Sequence, residues 1–297
     1  MHTDDDDWDL VPSVDLDIPI DEELLNRAAK IKVRAQNKHI SPHDVLELQS
    51  LLKEMERRTE ISGVDKWYVP GTPFGIDKLP KHKAIFDSTK DYREVLILGG
   101  NRTSKTTTGC YLSTVTATGL YPDWWDGVVY PGPVNNYSVG KSAQTVLQTL
   151  QECLMGPSGQ WGTGLIPKHL IEKTVHKSGV PGAIREVHVR HVPSGGISTI
   201  TFMSADQKAH AFFGLKGHIM HVDEPTDEDV YNEILVRTMT TNGRVIHTIT
   251  PKKGLTRMLA NFLSDCHLLA GTKKIKGLEQ AKALMDIEAE AKRQDSE

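Results

Sequence analysis

Residues 95–108 read VLILGGNRTSKTTT. Val95, Leu96, Ile97 and Leu98 form an apolar run of buried-strand length. Gly99 and Gly100 follow, then Asn101, Arg102, Thr103, Ser104, Lys105, Thr106 and Thr107. From Gly99 this is G-x4-S-K-T, one residue away from the phosphate-loop pattern G-x4-G-K-[ST]. In such a loop successive backbone N–H groups point into one concavity, and the next helix offers its N-terminus to an anion. Residues 99–107 are therefore the expected nucleotide contacts. Lys105 would reach the β- and γ-phosphates of ATP, and the Thr106 hydroxyl would ligate Mg2+. Ser104 departs from the pattern, because glycine normally stands where backbone and phosphate approach closely. A negative φ at Ser104 would make the cost small. The bland alternative, a strand-to-helix turn that binds nothing, fits the Lys-Thr pair less well.

A second stretch has the partner chemistry. His218 to Glu224 reads HIMHVDE, an apolar strand that delivers Asp223 and Glu224 at its C-terminal end. Asp223 would hold the Mg2+ shell, and Glu224 would polarise the water that attacks the γ-phosphate. His221 inside that strand is read as structural. A further strand, Arg244 to Thr250 (RVIHTIT), ends at Pro251. Thr248 and Thr250 share a face at a spacing of two. Thr250, nearest the strand end, is the expected residue for sensing the γ-phosphate.

Outward from these segments, the order strand–loop–helix continues. Tyr137–Gly140 reads as a strand and Ala143–Met155 as a helix. Arg185–Val192 and Ile197–Met203 alternate around Pro193-Ser-Gly-Gly196, which predicts a β-hairpin with its histidines on the surface. Lys81–Phe86 begins a helix before the loop, and Lys83 and Phe86 are candidate adenine contacts. Upstream, Asp21–Gln36 and a helix opened by Ser41-Pro42 and running to about Arg58 predict a helical hairpin. The predicted organisation is an acidic disordered tail over 1–20, a helical appendage over 21–60, a P-loop ATPase domain over 61–270 and a terminal helix and tail over 271–297.

Composition constrains the partners. Of 39 acids, ten stand in residues 1–23, where there is no Lys or Arg; the remaining 29 face 35 bases. A mildly basic body is compatible with a polyanion. Cys110, Cys153 and Cys266 have no paired spacing, which disfavours a zinc ribbon or a disulfide framework. No apolar run reaches membrane-spanning length, so no membrane partner is expected.

Several segments in one order now point to a family. They are LGGNRTSKT (98–106), TGLYPDWWDG (118–127), GQWGTGLIP (159–167), VRHVPSGGIS (189–198), the strand ending VDEP (222–225) and TITP (248–251). Over roughly Trp67 to Leu259 the chain resembles the ATPase half of bacteriophage terminase large subunits. TGLYPDWW and VRHVPSGGIS are the more specific signals, since nothing in general nucleotide chemistry requires them. The resemblance implies a RecA-like, additional-strand (ASCE) α/β sheet with flanking helices. It implies an ATPase that translocates double-stranded DNA through the phage portal into the procapsid, working in the host cytoplasm as a ring, five subunits when assembled, with a small terminase subunit. It makes Arg102 the arginine that faces the nucleotide, with Lys105, Thr106, Asp223, Glu224 and Thr250 in the roles above.

Two departures qualify this. Relatives carry Gly-Arg after Asp-Gln, whereas Asp206-Gln207 is followed here by Lys208-Ala209. A trans-acting cation would have to be Lys208, Lys216 or Arg190. Terminase large subunits also continue into a nuclease, but only 46 residues follow Pro251. The expectation is a chain without nuclease domain or nuclease activity, either truncated or partnered by a separate nuclease chain. Competing readings are a helicase-like or recombination ATPase and a non-hydrolysing structural ring subunit.

Overall fold

The computed structural model describes residues 67–250, together with residues 30, 31, 34, 41, 43–51 and 262. The predicted acidic tail and the second terminal helix lie outside the described residues, and of the first terminal helix only Phe262 is described, as helical. The chain divides into two compact units, Met1–Ile61 and Ser62–Glu297.

In the first unit residues 43–51 are helical, and Ser41 caps them. Ser41 N and Oγ donate to Asp44 Oδ2 at 3.0 and 2.7 Å, and Asp44 N donates back to Ser41 Oγ at 3.2 Å. This reciprocal box satisfies donors that a helix start otherwise leaves orphaned. The Ser41 backbone and hydroxyl hydrogen bonds, helped by Arg34, hold the Asp44 carboxyl down at about 2. Ile31 and Leu51 are buried together, with Leu48 packed against them.

The second unit is built on one seven-stranded sheet in the order β1-β7-β6-β2-β5-β4-β3. The strands are β1 (Glu94–Leu98), β2 (Asn135–Gly140), β3 (Ile171–His176), β4 (Ile184–Arg190), β5 (Ile197–Ser204), β6 (Ile219–Asp223) and β7 (Arg244–Ile249). From β1 to β5 all neighbours are parallel; β4 and β3 are added antiparallel. The last strand, β7, lies between the loop strand β1 and the Asp-Glu strand β6. That insertion is the additional-strand arrangement of a P-loop fold, here in a mixed α/β protein.

The helices are α1 (Pro80–Ser88), α2 (Lys105–Thr118), α3 (Ala143–Thr145, a π turn over Val146–Gln151, then Glu152–Met155) and α4 (Glu228–Arg237). α2 is buried along twelve of its fourteen residues despite six threonines and a serine. Hydroxyls of Thr114, Thr116 and Thr118 donate to the carbonyls four residues back, at 2.8 to 2.9 Å, so they enter the core already satisfied. One core lies around α2 and includes Val95, Ile97, Val115, Ile219 and Ile246. The other face of the sheet packs Val139, Met220, Val222 and Val245 against Val230 and Ile234 of α4.

The predicted hairpin is β4–β5, with one correction. His191 is not on its surface but fully buried. After β4 the chain bends so that Val192 N donates to Thr118 O at 2.7 Å, and His191 Nδ1 meets Ser194 Oγ at 2.8 Å. Gly119, at φ +70°, closes the other side. A Cβ there would stand 2.5 Å from Pro193 Cδ and 2.6 Å from His191 Nε2. The two segments most specific to the family resemblance therefore interlock.

Candidate nucleotide site

β1 stops at Leu98, and Gly99 N still donates to Ile249 O at 3.3 Å, so the loop springs from the edge of the β1–β7 ladder. Gly100, Asn101, Arg102 and Thr103 are exposed, and α2 starts at Lys105. Lys105 is only 9% exposed, and its Nζ folds back to Gly100 O at 2.5 Å and Thr103 Oγ1 at 3.5 Å. The ammonium is thus held inside the loop, where phosphate oxygens would be met. Thr103 Oγ1 donates to Gly100 O at 2.9 Å and narrows the loop further.

Ser104 does not take the inexpensive conformation. It lies at φ +55°, ψ +19°, in the left-handed region, and its side chain makes no cap hydrogen bond. Arg102 (φ +59°) and Glu224 (φ +74°) are also left-handed. Such backbone costs on the order of 1 kcal/mol or more for each non-glycine residue. Three of the six such non-glycine residues among the described ones stand at this site. Thr108 steadies the turn: its N and Oγ1 donate to Ser104 O at 2.9 and 2.8 Å. With that proton committed, Tyr68 O–H donates to Thr108 Oγ1 at 3.0 Å.

The loop and the Asp-Glu strand meet at a carboxylate. Thr106 Oγ1 donates to Asp223 Oδ1 at 2.9 Å, across 117 residues of sequence. Asp223 is 6% exposed and sits opposite Thr248 in the β6–β7 ladder. Thr248 Oγ1 donates to the same Oδ1 at 2.5 Å. It is Thr248, not Thr250, that the structure brings to the site. Thr250 lies one residue beyond β7 and is half-buried. Glu224 follows Asp223 and is half-buried; its N donates to Thr248 O at 2.9 Å. A hydroxyl and a carboxylate oxygen this close, beside a loop of near phosphate-loop pattern, are a hard-oxygen donor set that would suit Mg2+ bound together with phosphates. Among the described residues no group of three His, Cys, Asp or Glu could hold a metal alone.

Both adenine candidates are engaged within the chain. Phe86 is fully buried among Tyr68, Tyr111, Trp124 and Trp125, with ring centroids 5.1 to 5.7 Å apart. It has no face left for a base, so the expected contact is corrected to a core role. Lys83 Nζ is bound to both Asp87 oxygens, at 2.7 and 2.8 Å. Of the three cations considered for a neighbouring site, Lys208 is paired with Asp227 at 3.0 Å and Arg190 with Glu172.

Sequence reasoning passed over the buried support of Asp223. His221 Nε2 lies 3.0 Å from Thr248 Oγ1, and Cys110 Sγ lies 3.9 Å from Nδ1. Burial lowers the His221 pKa, against the pull of the Asp223 charge. The available signal was period two: His221, Asp223 and Thr248 occupy the same face of adjacent strands.

No protein-family model matches the chain. A curated relative, the terminase large subunit of Salmonella phage P22, is 26% identical over 248 residues, covering 76% of this chain and 48% of the relative. The chain thus spans about half the length of the curated relative it matches. Among solved structures, the large terminase ATPase domain of Thermus phage P74-26 is 17% identical with a TM-score of 0.40, over 68% of this chain and 78% of that one. The large terminase of bacteriophage D6E in complex with ADP is 12% identical with a TM-score of 0.35, over 65% and 37%. The chain is therefore similar, over about three quarters of its length, to a phage terminase large subunit.

Proposed function

We propose that this chain is the ATP-hydrolysing motor subunit of a phage terminase, driving double-stranded DNA through a portal into a procapsid. The observation that carries the reading is the meeting of Lys105, Thr106, Asp223, Glu224 and Thr248 at the ends of three adjacent parallel strands. Lys105 binds the β- and γ-phosphates as a point charge, and Arg102 faces them from the exposed loop. Thr106 and Asp223 would hold Mg2+, which would supply charge neutralisation at the phosphates. Glu224 orients and deprotonates the attacking water. Thr248, bonded to Asp223, is the residue through which γ-phosphate loss reaches β7. The chain works in a homo-oligomeric ring, five subunits when assembled, with a small terminase subunit and a nuclease domain or chain; its place of action is the portal vertex in the host cytoplasm. DNA is held mostly by its phosphates, because a packaging motor must ignore sequence, so affinity falls steeply with salt.

The test is steady-state ATP hydrolysis, with and without linear double-stranded DNA, over a range of protein concentration. Turnover that rises with concentration and with DNA is the expected result; negligible turnover at every concentration overturns hydrolysis by this chain. Glu224→Gln should bind ATP normally and lose at least about 100-fold in turnover, because only the water-activating group is removed. A Gln variant that hydrolyses normally would remove Glu224 from the mechanism.

A further inference from the structure

His221 is fully buried on the face of β6 that carries Asp223. α2 makes room for the ring with Gly109, where a Cβ would stand 2.3 Å from His221 Nε2. The hydrogen bonds around the ring fix its proton. Thr248 Oγ1 has one hydrogen, with Asp223 Oδ1 at 2.5 Å and Val222 O at 3.4 Å. The nearer, charged acceptor takes it. Oγ1 must then accept from His221 Nε2, 3.0 Å away, so Nε2 carries the imidazole hydrogen. Nδ1 is left as an acceptor, which matches the weak S–H donor of Cys110 at 3.9 Å.

We propose that His221 is a positioning residue of the nucleotide site: by donating to Thr248 it aims that hydroxyl, and with it the Asp223 carboxylate, at Thr106. The inference rests on the nucleotide-site reading above. The order of donation is His221 to Thr248 to Asp223, with Thr106 donating to the same carboxylate oxygen from the loop. Every hydroxyl and ring hydrogen in the row has one destination, so the carboxylate has one preferred rotamer. A histidine that merely filled the space beside Gly109 would be replaceable by any side chain of similar volume, with or without a donor.

The experiment uses the full chain and three variants. His221→Met keeps the volume and removes the donor; His221→Gln places an amide N–H near the position of Nε2; Thr248→Val removes the middle hydroxyl. The expected result is that His221→Met keeps the native circular dichroism and its Mg2+-free ATP affinity. Its turnover should fall by about tenfold or more, and the Mg2+ concentration for half-maximal turnover should rise by a similar factor, as when outer-shell partners are lost. His221→Gln should recover most of both. Thr248→Val should match the Met variant, and the double variant should lose nothing further, because the two act as one unit. The imidazole 15N spectrum of the unmodified chain should show the Nε2–H tautomer for His221, with its Nε2 signal moved in Thr248→Val. Wild-type Mg2+ dependence in a folded His221→Met, additive losses, or an Nδ1–H tautomer would each overturn the proposal. Should the Met variant not fold, the tautomer and its response to Thr248→Val decide it. An unmodified chain that binds no Mg-ATP would instead strike down the nucleotide-site reading, and this proposal with it, at the first control.

Discussion

The two faces of the parallel sheet are built from the same strands and carry opposite chemistry. Toward α2 stand Asn136, Ser138, His221, Asp223 and Thr248, set among Ile219 and Ile246. Away from α2 stand Tyr137, Val139, Met220, Val222 and Val245, packed on α4. On the polar face Asn136, His221, Asp223 and Thr248 are bonded, while the Ser138 hydroxyl has no partner among the described residues. Asn136 Nδ2 donates to Ser113 O and Thr116 Oγ1 of α2, both at 2.9 Å, and its Oδ1 accepts from Ile219 N at 3.1 Å. Buried polar groups are tolerable only when they are satisfied in this way, and once satisfied they fix geometry. The apolar face holds the fold together without specifying where a proton sits. The difference teaches that stability and chemistry can be perturbed separately here, because alternate residues of one strand serve each.

The sharpest break is at the loop. Lys105→Ala should abolish turnover, with a loss above about 100-fold and much weaker ATP binding, while thermal unfolding barely moves; near-normal hydrolysis would unseat the site assignment. On the opposite face, Ile234→Ala empties a fully buried position and should cost about 3 kcal/mol in chemical denaturation. Its Mg2+ dependence should stay that of the unmodified chain, and a shifted dependence would mean that the faces are coupled.

His247 is the exception that sharpens the contrast. It is buried on the apolar face against Tyr231, with ring centroids 5.0 Å apart, and neither ring nitrogen has a hydrogen-bond partner. Burial, with His221 adding a smaller push, lowers its pKa to about 3. The unfolded chain takes up this proton near pH 6.5 and the folded chain does not. Stability is therefore complete above pH 6.5 and falls as pH drops toward 3, by about 1.4 kcal/mol per pH unit. Tyr231, the ionisable neighbour on α4, stays neutral throughout, its O–H given to Glu94. Urea titrations at several pH values should show that His247→Leu flattens this acid limb; an unchanged limb would assign it to other groups.

The smallest effect belongs to Ser104→Gly. Glycine relieves the left-handed strain at φ +55° but enlarges the freedom of the unfolded chain. The net gain should be about 0.5 kcal/mol, with turnover within about twofold. A large fall in turnover would show that the serine hydroxyl acts on the nucleotide.

The loop, the Asp-Glu strand, α3 and the hairpin were legible because each has a strong local pattern: an apolar run closed by Gly-Gly, strict alternation, or a cap followed by apolar spacing. β3 was not. Its IEKTVH stretch sets two exposed charges side by side at Glu172 and Lys173 and two half-buried residues side by side at Thr174 and Val175, as an edge strand can, so alternation gives no signal. The left-handed φ of Ser104 was hidden because residue type argues against it, and only loop closure imposes it. Thr250 was preferred over Thr248 by nearness to the strand end, whereas the register that pairs Thr248 with Asp223 is a tertiary fact. Phe86 looked available because an amphipathic helix does not reveal that Tyr68, Tyr111 and Trp124 will enclose its ring.

The insertion of β7 beside β1 also has a kinetic side. β1 ends at Leu98 and β7 begins at Arg244, nearly 150 residues later; among the described residues β7 is the only strand that pairs with β1. A chain emerging from the ribosome therefore carries the loop after β1 through nearly 150 further residues of synthesis with no neighbouring strand to anchor it. Pairings of such long sequence separation form slowly, since loop closure must precede the contacts that reward it. The candidate nucleotide site, which needs β1, β7 and β6 side by side, therefore has no scaffold until residues 94–249 have all been made.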